Sequence, residues 1–161
     1  MTRKRREAKE LQEASNHLHY EIWMLHSIAR AMASGIAEES WLKNALLESF
    51  VIHARVLIDF FYALNPQKDD VIAEDFLSSP DVWRNERPKL SERLSEAKER
   101  ANKHLAHLTY QRVDVALNNR EWPFVEISKD MRSVMKRFLE KVSADNLGTQ
   151  FTQMLCSKKE T

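Results

Sequence analysis

The chain has 161 residues, 43% of them apolar and 30% charged, enough for one domain with a core that needs no disulfide or metal. Its 25 lysines and arginines face 24 acids, so no global basic field advertises nucleic acid, and any phosphate contact must come from a local patch. One cysteine, Cys156, excludes an internal disulfide and fits a reducing cytoplasm, and two glycines, Gly35 and Gly148, leave no glycine-rich phosphate loop.

The first predicted helix runs from about Arg5 to Ser34. Its apolar positions Leu11, Leu18, Ile22, Leu25, Ala29 and Met32 follow a three-and-four spacing. Gly35 is placed to stop it, because the residue after a helix often needs the left-handed conformation. The cationic run RKRR before it reads as a solvated, frayed start. The N-terminus lacks the apolar core of a signal peptide, and no apolar run reaches the length of a membrane span.

A second helix is predicted over about Glu39 to Leu64, with Leu46, Phe50, Ala54, Leu57, Phe61 and Leu64 in one stripe. Asn65-Pro66 ends it. On the other face Glu48, Arg55 and Asp59 lie within roughly 40° of one another. They read as a buried structural polar network, with one wall of a site as the alternative. From Pro66 to Pro88 the periodicity fails. Ser79-Pro80 is a helix start signal, and Ile72, Phe76 and Trp83 mark the segment as an ordered crossover packed on the bundle.

The third helix is predicted from about Ser91, its cap, to Val113. Its apolar stripe is Leu90, Leu94, Ala97, Ala101, Leu105 and Leu108. Beside that stripe Arg100, His104 and His107 fall within roughly 60° of one another, and Glu96 and Gln111 extend the row by one turn each way. A cation and two imidazoles at a core margin can handle a phosphate; the plainer role is to line a helix interface. The fourth helix opens at Pro123 and runs to about Val142, with Phe124, Ile127, Met131, Val134, Phe138 and Val142 inward. A tail over 145–161 sets Phe151, Met154 and Leu155 on one face, to dock on the bundle or on a partner. The fold expected is an all-α four-helix bundle, a single domain over 1–161 with its core at about 5–144, and an ordered crossover carrying short helices between helices 2 and 3.

Chemistry narrows next. The Glu-x-x-His pairs of di-iron bundles are missing, and Arg100 and Lys103 beside His104 and His107 disfavour a cation, so neither a metal nor another cofactor is expected. Splitting RNA by its own 2′-hydroxyl needs a base, an acid and a cation for the phosphorane, which histidine and arginine supply. Arg100 and His107 are seven residues, roughly 10 Å, apart along the axis, so one chain could hold half a site that a two-fold dimer completes.

The segments LLESFVIHARVLIDFFY, DVIAEDFL and ERANKHLAHLTYQR, in this order between Ala45 and Val142, resemble the HEPN superfamily of small helical bundles, in its abortive-infection/toxin-like or uncharacterised branch. HEPN ribonucleases carry an arginine, four to six residues, then a histidine; Arg100 and His107 match with six between. Ala101 stands where a polar residue often follows the arginine, with Asn102 one further on. Tyr110 comes three residues after His107, where some members have a tyrosine two after. The resemblance implies a metal-independent endoribonuclease of toxin or phage-defence type, a composite site at a homodimer interface, RNA or nucleotide as ligand, and an antitoxin protein as a further partner. It implies Arg100, His107, His104 and Asn102 as catalytic and Lys103, Tyr110 and Gln111 as substrate-binding. The alternative is a non-catalytic HEPN-like nucleotide- or protein-binding module.

Overall fold

The computed structural model of the protein describes residues 4–36, 39–104 and 122–151, the side chains of Lys103 and His104 excepted. Helix α1 spans Ala8–Ala33, α2 Ser40–Tyr62, α3 Pro80–Glu86, α4 Glu92–His104 and α5 Phe124–Leu139. Short 3-10 turns occupy Ala73–Phe76 and Ala144–Asn146. Among the described residues there is no strand, and the architecture is an all-α bundle. Among the described residues four long helices surround one core: α2 packs between α1 and α4, and α5 packs against the same two neighbours. No described helix is long and apolar enough to cross a membrane.

The apolar stripes explain this arrangement. Leu11, Leu18, Leu25 and Ala29 of α1, Phe50, Ala54, Leu57 and Phe61 of α2, Leu94, Ala97 and Ala101 of α4, and Ile127, Met131, Val134 and Phe138 of α5 are all buried. Ile22, Met32, Leu46, Phe124 and Val142 pack against them partly covered. Gly35 follows α1 at φ +70°, the left-handed stop its position requires. At the other end α1 begins three residues later than the periodicity predicts. Glu7 is extended there, and the Glu10 carboxylate accepts its backbone N–H at 2.9 Å. The basic run ahead of it is tied down at Arg6, which donates to the Lys68 carbonyl at 3.0 Å.

Helix α2 stops two residues short of the expected end. Ala63 already takes an extended conformation, so Leu64 leaves the stripe and is 82% exposed. The crossover then does what its aromatic residues suggested. Ser79 caps α3 by accepting from Asp81 N–H at 3.3 Å, and Ile72, Phe76 and Trp83 are buried. Trp83 Nε1 donates to the Phe61 carbonyl at 2.8 Å, and Arg87 Nη1 donates to the same oxygen at 3.1 Å. Tyr62 donates its hydroxyl to the Pro88 carbonyl at 3.1 Å. A chelating Arg84–Glu74 pair, both bonds 2.8 Å, braces α3 on the 3-10 turn before it.

The segment after α5 docks on α1. Leu147 and Phe151 are buried, and Phe151 meets the His19 ring edge-on at 5.4 Å. Met154 and Leu155 lie outside the described residues. Gly148 sits where no side chain fits: its N–H donates to the buried Ser15 hydroxyl at 2.6 Å, and a Cβ there would stand 2.7 Å from the Gln12 carbonyl of α1. Gly148→Ala is therefore expected to cost about 1–3 kcal/mol through overpacking. Urea midpoints would read the loss; an unchanged midpoint would show that the segment lifts off α1 freely.

Candidate functional site

Helix α4 carries Arg100, Asn102, Lys103 and His104 of the residues singled out for chemistry, and its start is fixed from two sides. The Leu94 N–H donates to Ser91 Oγ at 3.3 Å, as expected of a serine cap. That hydroxyl donates in turn to Asp130 of α5 at 2.8 Å, and Arg93 reaches the same carboxylate at 2.9 Å. Ala97 and Ala101 are buried on the side of the helix that meets its neighbours. Leu90, just before the helix, is 36% exposed and does not continue the stripe inward.

Arg100 lies where a core-margin residue should, half-buried on the flank of α4 that faces the start of α5. Its guanidinium stands over the Trp122 ring, 4.0 Å from the centroid. Cation and indole face thus hold each other in place. Trp122 also lines a cavity of about 320 Å³ with Met32, Ala33 and Phe124, opening between the end of α1 and the start of α5. Asn102 is exposed. The α4 backbone runs through Lys103 to His104, which is one turn beyond Arg100. His107, Tyr110 and Gln111, with Leu105 and Leu108, lie outside the described residues.

The expected buried network on α2 takes another form. Arg55 and Asp59 do pair, at 3.7 Å, but both side chains are 46% exposed. Lys98 of α4 joins Asp59 at 2.7 Å, whereas Glu48 is exposed and has no ion-pair partner among the described residues. The physical reason is rotational: α2 buries Phe50, Ala54, Leu57 and Phe61, and the charged row lies on the opposite side of the helix. The Asp59–Lys98 pair forms one wall of a larger cavity, about 820 Å³, between α1, α2, the crossover and α4. That cavity opens on the flank of α4 away from Arg100.

Two histidines outside the expected set bridge helices. His53 of α2 meets Glu21 of α1 through Nδ1 at 2.6 Å. His26 of α1 shares a hydrogen bond through Nδ1 with the hydroxyl of Ser128 of α5, 2.5 Å away. Burial, with Arg132 and then Arg30 adding positive charge, pushes the His26 imidazole down to about 4, so it is neutral near pH 7. Ser128 is itself buried, and the pair fastens the α1–α5 seam.

The unfolded imidazole takes up its proton from pH 6.5 downward, while the folded one waits until about pH 4. In that window the unfolded chain binds more protons, so folding stability is fully present above 6.5 and falls as the pH drops toward 4. Urea unfolding at a series of pH values should show a steeper acid loss for the native chain than for His26→Gln, whose amide can bond Ser128 but does not titrate. Parallel curves would remove His26 from the acid response.

Periodicity and motif spacing missed Trp122, His26 and Ser128. The signal for Trp122 was present as a tryptophan directly before the proline that opens α5. The two other residues meet across 102 positions of sequence, beyond the reach of local spacing. Comparisons with protein-family models, with curated proteins and with solved structures give no match for this chain.

Proposed function

We propose that this bundle acts on RNA as an HEPN-like, metal-independent endoribonuclease, with Arg100 and His107 as its reacting groups. The observation that supports the reading is the Arg100–Trp122 stack: a cation set on an aromatic face at the margin of the core, on the helix that carries His104 one turn further. Aromatic and guanidinium planes receive unstacked bases, and a guanidinium receives a phosphate.

In this chemistry His107 takes the proton of the 2′-hydroxyl as the O2′–P bond forms. Arg100 meets the charge that builds on the phosphorane. The P–O5′ bond then breaks, and the departing oxygen takes a proton from a second imidazole, supplied by His104 or by a second copy across a two-fold axis. The products are a 2′,3′-cyclic phosphate and a 5′-hydroxyl. Asn102 and Lys103 would assist from the same helix, with Tyr110 and Gln111 further along the chain.

The same stack favours a second reading, a non-catalytic nucleotide-binding module, because holding a base and a phosphate needs no proton transfer. One experiment separates them. Purified protein is incubated with single-stranded RNA and with the DNA of the same sequence, with and without EDTA. The ribonuclease reading expects RNA cut to cyclic-phosphate ends, no effect of EDTA, and intact DNA. Binding without cleavage gives the module, and cutting that EDTA stops overturns the mechanism.

A further inference from the structure

Helix α2 is apolar on two sides. Opposite its buried stripe it presents Trp41, Ile52 and Val56, exposed at 66%, 56% and 42%. At 100° per residue these fall within about 100° of one another, in a row that includes Glu48, Arg55 and Asp59. Beside the row on α1 stand Tyr20 and Trp23, also about half exposed, with ring centroids 6.3 Å apart. A lone folded chain rarely leaves so many large apolar rings together in water. Tryptophan, tyrosine and arginine are also the side chains that dominate binding at protein interfaces.

The charges on this face say what covers it. Glu48 and Arg55 are seven residues apart, two turns and roughly 10 Å along the axis. An antiparallel helix of the same sequence, related by a two-fold axis passing between residues 51 and 52, sets each Arg55 against the other chain's Glu48. Ile52 then lies at the axis, and Asp59 faces Asn44, so no like charges meet. The aromatic pair on α1 places the axis independently. His53 of α2 touches Tyr20, ring centroids 5.8 Å apart, and Glu21, 2.6 Å away. Because α1 and α2 run antiparallel, the level of residues 51 and 52 on α2 is the level of about residue 22 on α1. Tyr20 and Trp23 straddle that level, so the same axis brings each aromatic pair onto its own copy. Only an isologous contact satisfies both features with one operator.

We propose that the outer face of the α1–α2 hairpin is a self-association surface, occupied by the same face of a second copy. Ile52 is its centre, with reciprocal Glu48–Arg55 bridges on either side and the Tyr20–Trp23 pairs beside them on α1. This face is separate from the flank of α4 that carries Arg100. Any pairing through α4 is untouched by changes here, so failure of this inference leaves the RNA reading standing, and the reverse.

The experiment uses the full chain in sedimentation velocity and light scattering across a concentration series. Ile52→Glu, a substitution at an exposed position, should weaken association about 30-fold, the effect of a central interface side chain. Trp23→Ser should act in the same direction from the α1 half of the patch. Glu48→Arg and Arg55→Glu should each weaken association about tenfold, and the double reversal should restore it to within about threefold of the native chain. Circular dichroism melting checks that each variant keeps its helices. Association indifferent to Ile52→Glu overturns the proposal, as does a double reversal no better than either single change. Binding at this face of some other polypeptide in place of a second copy overturns it as well.

Discussion

Phe138→Ala should lower the unfolding free energy by about 3–5 kcal/mol, the usual cost of truncating a fully buried aromatic ring. Phe138 has no exposed surface. Its ring stands edge-on to Phe60 at 5.5 Å, Phe61 and Phe76 at 5.7 Å, and Trp83 at 5.6 Å. Those four rings come from α2, the 3-10 turn and α3, so one side chain of α5 joins three other parts of the chain. Its loss removes apolar burial, leaves a cavity the surrounding rings cannot close, and forfeits several favourable edge-to-face contacts. Against a total stability of about 5–15 kcal/mol for a domain, that is a large fraction. Phe138→Leu, which keeps most of the volume, should cost roughly 1–2 kcal/mol. Urea unfolding of the three chains gives both values, and a loss below about 1 kcal/mol for the alanine variant would show that the cluster rearranges to fill the space.

The second large effect is on rate. Arg100→Ala and His107→Ala are each expected to remove about 3–5 kcal/mol of transition-state stabilisation, a fall of about 10²–10⁴-fold in RNA cleavage. Arg100→Ala also gives up the Trp122 stack, so its stability should drop by about 0.5–1 kcal/mol. That small loss is far below the loss in rate, and the two are measured separately by cleavage kinetics and urea unfolding. Arg100→Lys keeps the charge but not the planar fork, and should recover only part of the activity. Mixing Arg100→Ala with His107→Ala chains tests the composite site, since a shared two-fold site regains activity when each chain supplies what the other lacks. If neither variant changes cleavage while both weaken nucleotide binding, the stack serves recognition alone.

How much of this was readable from the residues depends on the range of the interaction that fixes each feature. Helix stripes are local, and positions such as Leu25, Phe50, Leu57 and Phe138 are buried where periodicity put them. Stops and starts with backbone causes were also legible: Gly35 takes positive φ, Ser79 and Ser91 cap. Helix ends set by tertiary contacts were not. Leu64 belongs to the α2 stripe by spacing, yet the chain has already turned extended at Ala63. Spacing groups Glu48, Arg55 and Asp59 on one face but does not show that the face is open, because charged residues on an apolar helix look the same whether that face is buried or exposed. Trp122 and the His26–Ser128 bond join elements distant in sequence, which no spacing rule reaches. For the proposed site, Arg100 stands at the core margin its register gave it, and His107, Tyr110 and Gln111 lie outside the described residues.

The two hydrogen bonds accepted by the Phe61 carbonyl bear on how the chain opens. The last turn of a helix has carbonyls with no intrahelical donor, and that of Phe61 obtains its donors from Trp83 and Arg87, more than twenty residues downstream. The end of α2 is therefore complete only while the crossover is seated, and the crossover's buried tryptophan has a partner for its indole N–H only while that end is helical. The two make one cooperative unit, and amide protons in the last turn of α2 are expected to exchange with the opening of the crossover, not with fraying of the first half of α2.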